Sequence, residues 1–340
     1  MTRSPFLETS ARRRQSVARL RARRRRARAG VIAALTLFTL AAVLLIDHGL
    51  GAGAPVRPAP RTAQTTTAPA QASPGAAAAP PAAGAAAGDP VSLQFKHPPR
   101  GGLLVDLDSG RVLWRRNPDG VLPIASLAKM MTALLVVQSA PPDAQVRITP
   151  QALAYQGSGM GVLPRGKNVP LESLLVGLLL PSGNDAAIAL AQHVAGTTTA
   201  FVARMNDTAA RLGLHCTHYA SVDGFDDANV SCASDLVTLA RIDLGQPRLA
   251  RIVRLPSAVV PLPIKGGKAY LYNNNYLVRQ GYAGITGLKT GETNAAGLCI
   301  VATADRAGRR LAVVLLHSPN PAQMHLQARR LLDAGFAVDR

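Results

Sequence analysis

Between residues 93 and 340 the chain alternates apolar runs with short polar punctuation, and the period of the runs changes along its length. Gly102–Asn117 (GLLVDLDSGRVLWRRN) reads as two strand-like runs around Asp108-Ser109-Gly110, a hairpin signal. Ser126–Ala140 (SLAKMMTALLVVQSA) fills one broad face with apolar residues and predicts a helix that Ser126 can start. A second helix is predicted over Leu171–Leu180, ended by Pro181-Ser182-Gly183. A third begins near Ala186, and a fourth near Thr199 with Gly213 as its stop. Ser234–Ile242 predicts a fifth helix, with Ser234 as its cap. After Ile252 the pattern turns to strands. Gly284–Thr293 (GITGLKTGET) leads into Ala295–His317, where Asp305–Gly308 punctuates two apolar runs as another hairpin. Pro321–Val338 reads as a closing helix. Strands at both ends with helices between them predict an α+β fold: a mostly antiparallel sheet flanked by helices, plus an all-helical lobe from the middle of the chain.

Upstream the pattern is different. Ala29–Ile46 carries no charge, and a helix of that length spans about 27 Å, close to the hydrocarbon thickness of a bilayer. Residues 1–28 hold eleven Arg and one acid, Glu8. A basic flank on one side only places the N-terminus in the cytoplasm. A cleaved signal is the competing reading. Its apolar core would be unusually long, and the small residues Ala52-Gly53-Ala54 are followed by Pro55, so an uncleaved anchor is favoured. Residues 47–92, rich in Ala and Pro, read as a disordered linker that holds a domain away from the membrane. The expected organisation is a basic cytoplasmic tail (1–28), a transmembrane anchor or signal segment (29–46), the linker (47–92) and one globular domain (93–340) outside the cytoplasmic membrane. The net charge of +19 would suggest nucleic acid, but ten of those charges (eleven Arg less Glu8) sit in the tail. The excess is a topology signal with some affinity for anionic lipid, and no nucleic-acid partner is expected.

Three short motifs carry chemistry. Ser126-Leu127-Ala128-Lys129 places a serine and a lysine on one face of a helix, three residues apart, among apolar neighbours. A desolvated lysine loses affinity for its proton, and a neutral amine can take the proton of a serine nucleophile. Ser182-Gly183-Asn184 follows an apolar helix; alone it is an ordinary turn. Lys289-Thr290-Gly291 lies at the end of a strand-like run, where Gly291 permits close approach and Lys289 and Thr290 can present a charge and a hydroxyl to an anion. Each is weak by itself; a capping serine or a solvated lysine explains any one of them. In this order and setting they resemble the motif set of serine β-lactamases and penicillin-binding proteins.

Of the three cysteines, Cys216 and Cys232 flank a short loop-rich stretch and are candidates for a disulfide closing a loop worth about 3 kcal/mol; three packed thiols are the alternative. Cys299 lies in a strand-like run and reads as a buried free thiol. No zinc-type spacing of Cys or His occurs, and His215 and His218 beside Cys216 read as structural or surface residues. No metal and no cofactor is expected.

The chain resembles the low-molecular-mass penicillin-binding proteins, the serine-type D-alanyl-D-alanine carboxypeptidases. The likeness extends over about residues 100–338, through VDLDSGRVLWRRNPDGVLPIASLAKMMTAL, ESLLVGLLLPSGNDAAIALAQHVAG, FVARMNDTAARLGL with THYASVDGFDD, and GITGLKTGETNAAGLCIVATADRAGRRLAVVLL, in order. It implies the β-lactamase/transpeptidase-like fold and a set of roles. Ser126 would be the acylated nucleophile and Lys129 its base. Ser182 would relay a proton to the leaving D-alanine, and Asn184 would hold Lys129 and the substrate backbone. Lys289 would keep the pocket positive, Thr290 would bind the terminal carboxylate, and Gly291 would leave room. The backbone N–H groups of Ser126 and Glu292 would form the oxyanion hole. The implied partners are the peptidoglycan stem peptide, β-lactam antibiotics and the cytoplasmic membrane. Glu292 departs from the pattern by setting a carboxylate beside the pocket. The chain also ends soon after the last predicted helix, without the second β-rich domain and C-terminal amphipathic anchor of many members, which moves the expected anchor to the N-terminus. A β-lactamase of this fold needs a glutamate after the second motif for deacylation, and Asn206–Asp235 contains none. An endopeptidase and a non-catalytic wall-binding scaffold are the remaining alternatives.

Overall fold

The two ends of the described chain meet in one five-stranded sheet. The computed structural model describes residues 88–339; the basic tail, Ala29–Ile46 and nearly all of the Ala/Pro-rich linker lie outside the described residues. The sheet is built from β1 (Gly101–Asp106), β2 (Val112–Arg116), β3 (Ile285–Thr293), β4 (Gly297–Arg306) and β5 (Arg309–Ser318). Its order is β2-β1-β5-β4-β3, antiparallel at every pairing. Both predicted hairpins are present. In the β4–β5 turn Ala307 and Gly308 have φ of 50° and 75°, the conformation a two-residue hairpin demands, and Asp305 Oδ1 accepts from Gly308 N at 3.0 Å.

The sheet is covered on both faces, so its central strand β5 runs apolar and buried from Leu311 to Leu316. Leu104, Val313 and Leu315 point to one side, where they meet Met324, Ala328, Leu331 and Leu332. Those four line one side of the C-terminal helix, Pro321–Ala337. Leu103, Val105, Ala312 and Val314 point the other way into the larger core. That period-two division explains why LAVVLL carries no polar position. Arg309 Nε pairs with Asp106 Oδ2 at 2.9 Å, both nearly buried, and ties β5 to the end of β1.

The middle of the chain forms the helical lobe. Its centre is α1 (Lys129–Ser139), buried from Lys129 through Val136. Around it lie α2 (Leu171–Leu179), α3 (Asn184–Ala195), α4 (Thr198–Arg211), α5 (Ala233–Leu244) and α6 (Pro247–Val253). A short helix, α7 (Tyr276–Arg279), precedes β3, and α8 is the C-terminal helix already described. Gly213 takes φ of 70° just beyond α4, the left-handed stop its position predicts.

Several starts differ from the expectation. Ser126 does not begin α1. Ala125–Ala128 form a 3₁₀ turn, regular helix begins at Lys129, and no side chain caps it. Ser234 does not cap α5: the cap position is Cys232, and Ser234 Oγ donates instead to Asp119 Oδ1 at 2.6 Å. The third helix begins at Asn184, two residues before Ala186. The pattern also gave no sign of α6 or α7, and it turned to strands after Ile252 without resolving the hairpin Ser257–Pro261/Lys268–Tyr272. Among the described residues no single helix is long and apolar enough to cross a membrane.

Candidate active site

The three motifs converge where the 3₁₀ turn, the start of α3 and β3 meet. Lys129 Nζ donates to Ser126 Oγ at 2.8 Å, to Asn184 Oδ1 at 2.6 Å and to the backbone oxygen of Asp223 at 2.6 Å. These three acceptors satisfy the three hydrogens of an ammonium or orient the lone pair of an amine. Ser126 lies partly exposed beside a cavity of about 310 Å³, whose lining includes Ser158, Ser182, Thr290, Gly291 and Glu292. Lys129 beneath it is fully buried.

Burial sets the electrostatics. It pushes the Lys129 amine down to about 7, against the opposing pull of the Asp223 and Asp185 carboxylates. Lys289, fully buried, is pushed well below the ordinary lysine range by burial and then by the charge of Lys129. Its Nζ donates to Thr290 O at 2.8 Å. Two amines so close cannot both hold protons cheaply, so a charge on Lys289 favours the neutral form of Lys129.

Close backbone approach explains the glycines. A Cβ on Gly291 would sit 2.9 Å from both Ile124 O and Ser126 N. A Cβ on Gly224, whose φ is 77°, would sit 1.9 Å from Ala125 O. The turn bearing Ser126 is therefore clamped between β3 and the Asp223–Gly224 loop, with Ala125 held at φ of 49°. Ile124 N donates to Asn229 O at 3.0 Å and fixes the entry to the turn. This clamp is why the serine sits in a 3₁₀ turn and not at a helix cap.

Ser182 also has positive φ, 66°, in a non-glycine residue, a conformation costing about 1–3 kcal/mol that is concentrated at functional sites. Its hydroxyl is buried and hydrogen-bonded to nothing among the described residues. Ser182 also lines the cavity. Asn184 is fixed by its own bonds: Nδ2 donates to Gln156 O at 2.5 Å and its N–H to Ser158 O at 2.8 Å.

Sequence reasoning missed two contributors. Asp223 supplies the third acceptor for Lys129 through its main chain, which no side-chain motif can show. Asp185 accepts from Met160 N at 2.9 Å and Gly161 N at 3.0 Å, holding the loop whose carbonyls bind Asn184. An acid at the first turn of α3 was its one signal. Glu292 stands exposed on the rim of the cavity. Away from the site, Cys216 and Cys232 are joined as a disulfide with Cα atoms 5.5 Å apart. Cys299 is buried and free, its thiol pushed up to about 12 by burial.

The arrangement can transfer an acyl group: two hydroxyls, Ser126 and Ser182, line one cavity, and two buried amines, Lys129 and Lys289, lie behind it. Comparison with known proteins agrees. Residues 94–320 match the family model for D-alanyl-D-alanine carboxypeptidase. D-alanyl-D-alanine carboxypeptidase DacB2 of Mycobacterium tuberculosis is 36% identical over 249 residues, 71% of this chain and 84% of the relative. A D-alanyl-D-alanine endopeptidase of Pseudomonas aeruginosa is 35% identical over 214 residues, 62% of this chain and 68% of the relative. The crystal structure of a D-alanyl-D-alanine carboxypeptidase from Mycobacterium tuberculosis superposes with a TM-score of 0.68 at 35% identity, covering 72% of this chain and 93% of that one. Other carboxypeptidase relatives are longer, and the chain spans 60% to 64% of their length.

Proposed function

Because the chain belongs to the D-alanyl-D-alanine carboxypeptidase family, we propose that it removes the terminal D-alanine of peptidoglycan stem peptides through an acyl-enzyme on Ser126. One observation carries the reading: a buried amine lies 2.8 Å from the hydroxyl it must deprotonate.

The steps follow from the site. The peptide lies along the open edge of β3, which among the described residues pairs only with β4, as an added strand. Thr290 and a proton-bearing Lys289 take its terminal carboxylate, whose charge restores the proton affinity that burial removed from Lys289. Ser126 Oγ attacks the penultimate carbonyl carbon as its proton passes to Lys129 Nζ. The oxygen that becomes negative faces the N–H groups of Ser126 and Glu292. The C–N bond breaks, and the leaving amine takes its proton by way of Ser182. Water then cleaves the ester. A β-lactam acylates the same oxygen by ring opening. The apolar segment Ala29–Ile46 supports a single-pass anchor with this domain on the extracytoplasmic side.

The test uses the full chain in detergent with a stem pentapeptide, reading released D-alanine, with Ser126→Ala as the control. Release by the folded wild type alone is expected; a folded wild type that releases none overturns the proposal.

A further inference from the structure

Acyl transfer at Ser126 makes no direct use of Asp185, yet the fold buries this residue completely in the first turn of α3, directly after Asn184. None of the ion pairs among the described residues includes it. Backbone donors hold its carboxylate. Oδ1 accepts from Met160 N at 2.9 Å and from Ala186 N at 2.8 Å, and Oδ2 accepts from Gly161 N at 3.0 Å. A neutral serine or asparagine can accept from the N–H groups of a helix start. Burying an acid there costs more than burying a neutral polar group, so the charge itself calls for an explanation.

The surroundings supply one. A Cβ on Gly183 would sit 2.7 Å from Asp185 Oδ1, and one on Gly177 would sit 2.1 Å from Met160 Sδ. The glycine of Ser182-Gly183-Asn184 therefore makes room for the carboxylate that follows the motif. The stretch 156–161, which Asp185 grips, holds Asn184 in turn: Gln156 O accepts from Asn184 Nδ2 and Ser158 O from Asn184 N. Ser158 lines the cavity over Ser126, and Asn184 Oδ1 is one of the three acceptors of Lys129. The charged groups that bear on Lys129 are Lys289 from β3, Asp223 from the loop before Gly224, and Asp185 from α3. The Asp223 carboxylate is occupied by Ser221 Oγ and Phe225 N. Burial lowers the proton affinity of the Lys129 amine, and the carboxylates of Asp223 and then Asp185 raise it. Two amines and two carboxylates thus balance one another in one buried site.

We propose that Asp185 is the positioning residue of the Lys129 base: it locks Asn184 and the 156–161 wall in place, and its buried charge raises the pH at which the base turns on. The inference rests on the acyl-transfer reading of Ser126. Asp185 works by geometry through Asn184 and by charge on Lys129. The sign is fixed. Removing the anion favours the neutral amine, so the base becomes available at lower pH.

The test is the second-order rate of acylation by a fluorescent penicillin, measured on the full chain in detergent from pH 5 to 10. The wild-type rate should rise through about pH 7. Asp185→Asn should rise about one pH unit lower. It should also level off at least about fivefold slower, because an amide sets a donor against Gly161 N and releases the wall. Asp185→Glu keeps the charge but misplaces it, so its plateau should fall while its rise stays at the wild-type pH. An Asp185→Asn rate that rises where the wild type does, or a Glu variant that shifts as far as the Asn variant, overturns the proposal and leaves the lysine base standing. Should the Asn variant fail to fold, the wild type itself decides, through the carboxyl ¹³C resonances of labelled aspartate. The Asp185 resonance should move as Lys129 titrates and lose that response in Lys129→Arg; a resonance indifferent to the titration overturns the proposal. A wild type that forms no penicillin adduct at any pH overturns the acyl-transfer reading as well.

Discussion

Placing a carboxylate against Lys129 should switch the base off at neutral pH and return it in alkali. Asn184 Oδ1 is 2.6 Å from Lys129 Nζ, so Asn184→Asp sets a negative charge at that distance. At an effective dielectric of about 20 the bare attraction is about 6 kcal/mol. Desolvation of the new carboxylate offsets roughly half of it, leaving about 3 kcal/mol, or roughly two pK units. The sign is fixed: an added anion favours the protonated lysine, and a protonated lysine cannot accept the Ser126 proton. In the wild type burial holds this amine at about 7, so about half the molecules carry the neutral form at pH 7. In the variant that share falls to about one in a hundred. The assay is the second-order rate of acylation by a fluorescent penicillin from pH 5 to 10. The wild-type rate should climb through about pH 7 and level off. The variant should be roughly fiftyfold slower at pH 7, climb near pH 9 and recover most of the difference by pH 10. Asn184→Ala removes the same bond to Gln156 without adding charge, and should lower the rate at every pH without moving the rise. A variant whose rise stays at the wild-type pH would refute a lysine base at position 129.

Four further outcomes are expected. Gly291→Ala drives a Cβ to 2.9 Å from Ser126 N and should slow acylation at least about tenfold, read by penicillin labelling of protein whose circular dichroism is unchanged. Thr290→Val should raise KM for a pentapeptide with a free terminal carboxylate while leaving its C-terminal amide as poor a substrate as before; equal losses on both would remove Thr290 from carboxylate recognition. Arg309→Met strands the buried Asp106 carboxylate 2.9 Å from its lost partner and should cost about 3 kcal/mol of stability by urea unfolding, with acylation of the folded fraction unaffected. Cys232→Ser, which opens a loop with a sequence separation of 16, should cost about 3 kcal/mol in the chain-entropy model; the wild type should lose the same amount when reduced.

Much of this site is legible in the sequence because its reach is short. The contact between Ser126 and Lys129 needs only helical spacing, and both hairpins are written in Asp, Ser and Gly between apolar runs. The join between motifs is another matter. Asp223 serves through its carbonyl, an atom every residue has, and Gly224 counts only because the loop presses on Ala125 from almost a hundred positions away. Ser126 looked like a helix cap because serine caps helices. The clamp from Gly291 and Gly224 forces a 3₁₀ turn there instead, a tertiary effect no local rule contains. Ser234 misled for the same reason: its hydroxyl found Asp119 in space before it found its own helix.

The central claim is that Lys129 is uncharged when it meets Ser126, and it is directly measurable. The chain has six lysines, so ¹⁵N resonances of the side-chain amines, assigned with Lys129→Arg and Lys289→Arg, can be followed by pH. One amine should titrate near 7, be absent from the Lys129→Arg spectrum and track the rise in acylation rate. A Lys129 that stays protonated to pH 10 while Ser126 is acylated at full speed would contradict the account.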